Sequence, residues 1–78
     1  MDIEYLRGAV EEARWRYQRE IATERILFDK RMEGSTPEEL EANYSRWSAQ
    51  HTKVMEALNS FQDAVIAYTE AVRRIMRA

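Results

Sequence analysis

Met32-Glu33-Gly34-Ser35-Thr36-Pro37-Glu38-Glu39 is the stretch that interrupts an otherwise unpunctuated chain. It holds the only proline and one of the two glycines of the 78-residue sequence, and long segments nearly free of helix breakers flank it. A glycine at the end of a helix takes up a left-handed backbone without penalty, so Gly34 is expected at the position that closes a first helix, with Lys30 and Arg31 opposing the negative end of its dipole. Thr36 then opens a second helix. Its hydroxyl is placed to accept from the Glu39 amide, Pro37 falls where a missing donor is harmless, and Glu38 and Glu39 meet the positive dipole end. Thr36 and Glu39 together read as a capping box. Asp2 caps the first helix in the same way, and Gly8 inside it costs about 1 kcal/mol relative to alanine. The expected architecture is an all-α antiparallel hairpin with helices over about 3–33 and 37–76, in a single domain 1–78.

Composition agrees. Hydrophobic residues make up 45% and charged residues 33% of the chain, which argues against disorder and against turn-rich β-structure. There is no cysteine, so disulfides and thiolate metal sites are excluded. Twelve basic against fourteen acidic residues give a net charge of −2, without the bulk positive field that non-specific nucleic-acid binding requires. The start, Met1-Asp2-Ile3-Glu4, is acidic and lacks an apolar run, so no cleavable signal is expected. No stretch approaches the ~20 apolar residues of a membrane span. The chain is expected in the cytoplasm as synthesised, with export, if any, proceeding without a cleaved signal.

Apolar spacing indicates what each helix buries. In the second segment Leu40, Tyr44, Trp47, His51, Val54, Leu58, Phe61, Val65, Tyr68, Val72 and Ile75 step four and three residues alternately. Such a repeat keeps one stripe against a partner helix and predicts knobs-into-holes packing. The first segment offers Ile3, Leu6, Val10, Ala13, Tyr17, Ile21, Phe28 and Met32, with Glu24 on the same stripe. A further set, Trp15, Ala22, Ile26 and Leu27, lies beside it, while Met55, Ile66 and Met76 widen the second face. One hairpin covers one seam and leaves these shoulders wet, so association is expected, as a four-helix bundle made by two hairpins or as part of a larger helical assembly. Trp15, Ala22, Ile26, Trp47, His51, Met55, Phe61 and Tyr68 are the expected interface residues, and Gly34, Thr36 and Pro37 form the turn.

Catalytic signals are weak. His51 is the only histidine and lacks companion ligands at helical spacing, so it reads as a polar seam residue that fixes register, or as a pH-sensitive contact. Folding back at Gly34 would set it level with Arg19 and Glu20, and would set Glu24 level with Arg46, an ion pair that needs no chemistry. Glu11, Glu12, Arg14, Arg16, Arg19, Glu20 and Arg25 read as a solvated face with helix-supporting pairs. Arg73, Arg74 and Arg77 suit the last turn of a helix, and nucleic acid is not an expected partner. No phosphate loop, nucleophile elbow or dinucleotide fingerprint is present, and no cofactor is expected. The reading is a non-enzymatic interaction module paired with itself or a related helical protein. A small oligomeric helical enzyme or ligand binder is the alternative, and a phage or regulatory protein would reuse the same hairpin.

From Met32 to Val72 the chain resembles the Trp-x-Gly family of small helical hairpins exported by type VII secretion. Met32-Glu33-Gly34 occupies the place of the turn motif, with Met32 where that family has tryptophan. Trp47 and Tyr68 follow along the second helix, and Val72 stands where the export pattern has an acid. The resemblance implies a non-enzymatic dimeric bundle exported without a cleaved signal. The proline-containing turn Gly34-Ser35-Thr36-Pro37 is also similar to that of type III secretion needle subunits and their helical co-chaperones.

Overall fold

The computed structural model describes residues 2–77. The chain is an all-α antiparallel hairpin of two helices, α1 (Ile3–Lys30, 28 residues) and α2 (Pro37–Arg77, 41 residues). At 1.5 Å per residue α2 is about 62 Å long, and it sets the 64 × 13 × 13 Å extents of the molecule. None of the helices described is long and apolar enough to cross a membrane.

Both helix starts are capped by side chains. Asp2 Oδ1 accepts from the Glu4 amide at 2.9 Å, and Thr36 Oγ1 accepts from the Glu39 amide at 3.2 Å. The returning arm of the capping box lands one residue early, since Glu39 Oε2 accepts from the Ser35 amide at 2.9 Å rather than from the amide of Thr36. The end of α1 differs from expectation. The helix stops at Lys30, three residues short, and Arg31 caps it in a right-handed conformation with its amide on the Phe28 carbonyl at 3.1 Å. Gly34 therefore does not close the helix. It lies in the connecting segment at φ 133°, a conformation open to glycine, and turns the chain there. Tertiary contacts account for the early stop: the Arg31 guanidinium lies 4.3 Å over the Phe28 ring and 5.3 Å from that of Trp47, while the Asn43 amide holds the Glu33 carbonyl.

The connection folds back onto α2, and this shifts the register. Ring pairs Tyr17–Phe61 at 6.0 Å and Phe28–Trp47 at 6.2 Å place Lys30 about level with Ser45. The first two turns of α2 thus run past the end of α1. Glu24 consequently meets His51, with Oε1 and Nδ1 3.4 Å apart, and not Arg46, which bonds Asn43 Oδ1 on its own helix at 3.0 Å. Glu20 meets Gln50 instead of His51, its carbonyl and Oε2 each accepting from Gln50 Nε2 at 3.0 Å.

The seam itself uses a different row from the one the apolar spacing suggests. Trp47, Val54, Phe61 and Tyr68 do face α1, but the row beside them that turns inward is Gln50, Ala57, Ala64 and Ala71, three residues on, and not His51, Leu58, Val65 and Val72, four residues on. Among the described residues the buried ones are Gln50, Val54, Ala57 and Ala71, with Ala57 at 0% exposure. In α1 the enclosed row keeps strict heptad steps through Ile3, Leu6, Val10, Ala13, Tyr17, Glu20, Glu24, Leu27 and Arg31, which moves Leu27 inward and Ile21, Phe28 and Met32 toward the edge. Small side chains explain the choice, because alanine lets two helix backbones close on each other where leucine or valine would hold them apart.

Ala57→Leu is expected to lower stability by about 1–3 kcal/mol through overpacking, read by urea unfolding at fixed protein concentration. The two glycines are expected to respond in opposite senses. A Cβ at Gly8 meets nothing within 4 Å, so Gly8→Ala stabilises by about 0.5–1 kcal/mol. A Cβ at Gly34 sits 3.0 Å from that of Glu39 at a strained φ, so Gly34→Ala destabilises by about 1–3 kcal/mol.

Candidate interaction surface

Once the alanine row is turned inward, the larger row on the other side of Trp47, Val54, Phe61 and Tyr68 is left outside. Tyr44, His51, Leu58, Val65 and Val72 alternate with Ser48, Met55, Gln62, Thr69 and Met76 at steps of four and three, a second heptad seam on the outer flank of α2. These ten positions contain no Asp, Glu, Lys or Arg in a chain that is 33% charged, and depletion of charge is what distinguishes the centre of an interface from ordinary surface. Tyr44, Met55, Val65 and Met76 are all exposed. Phe28 and Ile21 extend the same flank across to α1.

The opposite flank of the hairpin is different in kind. There α2 presents Arg46, Lys53, Ser60, Ala67 and Arg74, and α1 presents Ala9, Arg16, Thr23 and Lys30. The two flanks thus differ on α2, while on α1 each carries two basic residues, Arg7 and Arg14 sharing a row with Ile21 and Phe28 on the apolar side.

An open groove of about 580 Å³ runs into the apolar flank between Tyr17, Ile21 and Phe28 of α1 and His51 and Val54 of α2, with Glu24, Arg25 and Asp29 at its rim. His51 stacks on Trp47 at 5.4 Å and 24°, and Tyr44 packs on the same indole at 5.7 Å. The Trp47 N–H is enclosed without an acceptor, so the indole acts through its faces. Near the other end the Tyr68 hydroxyl, followed by the Glu4 carboxylate 3.5 Å away, raises the Arg7 guanidinium above its ordinary value, which leaves it charged at any pH the fold meets. Among the described residues no three His, Asp or Glu side chains converge as ligands for a metal ion.

The residues read from the sequence as an interface divide three ways. His51 and Met55 lie on the apolar flank. Trp47, Phe61 and Tyr68 are taken up by the hairpin's own seam, Phe61 against Tyr17 and Trp47 against Phe28. Trp15, Ala22 and Ile26 lie on the outer back of α1, where Trp15 is 63% exposed and carries the Arg19 guanidinium 4.9 Å from its ring. Gly34, Thr36 and Pro37 remain turn residues, and Pro37 also borders a shallow groove with Arg31, Met32, Leu40 and Tyr44. Ser48, Gln62 and Thr69 were not singled out by apolar spacing; the absence of charge along their row is the signal that marks them. No known family, curated protein or solved structure matches the chain.

Trp15→Ala is expected to change stability by less than about 0.5 kcal/mol, as for a surface substitution, whereas Phe28→Ala costs more than about 1 kcal/mol because it removes the contacts to Trp47 and Arg31. Urea unfolding of the two variants at one protein concentration checks the contrast.

Proposed function

We propose that the chain is a non-enzymatic protein-interaction module, a helical hairpin that works by laying the Tyr44–Met76 strip against other helices to complete a homo- or heterodimeric bundle. The observation that carries this reading is surface area. A compact protein of 9.3 kDa exposes about 5,000 Å², while this hairpin exposes 6085 Å². The excess is about 1,100 Å², and a stable protein–protein interface covers about 800 Å² on each partner. The uncharged strip supplies a place for that area to be covered. A ligand-binding reading of the Tyr17–His51 groove is weaker, because the groove is open along its length and continuous with the strip, as a slot for a side chain of a docked helix is. Export through a secretion system, implied by the hairpin's resemblance to the Trp-x-Gly family, is the proposed setting for such pairing.

A photo-crosslinking residue placed at Val65, and separately at Lys53 on the opposite flank, tests the module in its native host. The expected result is a covalent adduct from Val65, with the chain itself or with another protein, and none from Lys53. No adduct from Val65 would overturn the proposal.

A further inference from the structure

Resting on that reading, we infer that the strip's partner is a second copy of this chain, seated across a two-fold axis at Leu58 so that the two α2 helices pack antiparallel at the centre of a four-helix bundle. Three features of the single chain point to that axis. Within the strip, the row Tyr44, His51, Leu58, Val65 and Val72 has Leu58 as its middle member. Residue 57 is the midpoint of α2 itself, Pro37–Arg77. In α1, Ile3–Lys30, the residue level with Leu58 lies between Tyr17 and Glu20, given the Tyr17–Phe61 and Phe28–Trp47 pairs, close to the middle of the helix. One axis therefore overlaps both helices over their full lengths, whereas a partner of unrelated length would leave an end uncovered.

The pattern along the strip is self-complementary about the same point, as an isologous interface must be. Ser48 of one copy comes within one residue of level with Thr69 of the other, polar near polar. Tyr44 comes opposite Val72, and His51 opposite Val65. On the α1 edge the same rotation brings the Glu11–Arg14 pair of one copy, bonded at 2.8 Å, about level with Arg25 of the other, so that Glu11 has a basic group on either side of it. Angles agree as well. In a heptad frame the outer strip lies roughly 100° round α2 from the seam that holds α1, close to the right angle that four helices in a square require. Against a partner α2 the half-buried Leu58 and Val72 and the exposed Val65 leave water together, and the excess of exposed surface falls toward that of a compact protein.

A single-cysteine series tests the geometry cleanly because the chain has no cysteine of its own. Leu58 lies on the axis, so Leu58→Cys is expected to form a symmetric disulfide at twice the chain mass on mild oxidation, while Asn59→Cys, turned about 100° away, forms none. The unaltered chain is expected to sediment as a dimer, with a melting temperature that rises with concentration. Ser48→Lys is expected to weaken dimerisation by about tenfold or more, and adding Thr69→Glu to restore it to within about threefold, because the charges then pair across the axis. A chain that stays monomeric up to ~100 μM, a concentration where an interface of micromolar affinity is filled, overturns the inference. So does a dimer that cross-links as fast through Asn59→Cys as through Leu58→Cys. A monomeric purified chain together with a Val65 adduct to a different protein overturns the second copy while leaving the interaction module standing; loss of both overturns both.

Discussion

Alanine at 57, 64 and 71 is the constraint on which the arrangement of this hairpin depends. Each helix can bring two rows of side chains to its neighbour, but α2 carries three that are suited to burial: the Trp47–Val54–Phe61–Tyr68 row, the alanine row on one side of it, and the Leu58–Val65–Val72 row on the other. The closest helix–helix approach comes from the smallest side chains, and close approach is what brings many atoms into dispersion contact. Choosing the alanines for the internal seam commits the larger aliphatics to the outside. The exposed apolar flank is therefore a consequence of how the hairpin packs, and not a defect of it.

The same constraint explains what was and was not legible in the sequence. Two helices, their antiparallel return and both caps follow from Asp2, Thr36, Pro37 and Glu39, because capping is local chemistry with a short reach in sequence. The choice of seam is not local. Rows three and four residues beyond Trp47 both continue a heptad, and weighing side chains by apolarity favours the row with leucine and valine, whereas packing favours the one with alanine. Register was hidden for a related reason. Nothing in Arg31-Met32-Glu33 signals that Arg31 would leave the helix to cover Phe28 and Trp47, or that Asn43 would hold the Glu33 carbonyl, yet these contacts lengthen the turn and slide α2 by more than a helical turn against α1. Glu24 and Arg46 were separated by that slide.

Polar groups at the seam follow from it too. Gln50, Glu20, Glu24 and His51 cluster where the expected ion pair would have been, and they satisfy one another: Gln50 donates to Glu20, and His51 faces Glu24. A buried amide with a defined acceptor tolerates one register and penalises neighbours, since a shift of one heptad strands its donors. Gln50 thus does for the hairpin what a lone buried asparagine does for a coiled coil. His51 contributes less to that specificity, because it sits at the border between the internal seam and the outer strip.

Two packed helices supply little driving force on their own. With four buried residues among those described, the hydrophobic gain is small beside the conformational entropy of ordering a chain of this length, which amounts to about 1–2 kcal/mol per residue. Other small proteins close that gap with disulfides or metal ions; a chain without cysteine and with a lone histidine has neither route through thiolates nor a ligand cluster among its described residues. Covering the outer strip is the remaining source of burial that the fold offers. In the proposed assembly a covered strip would tie stability to the concentration of whatever covers it, so that folding and association would be coupled by mass action.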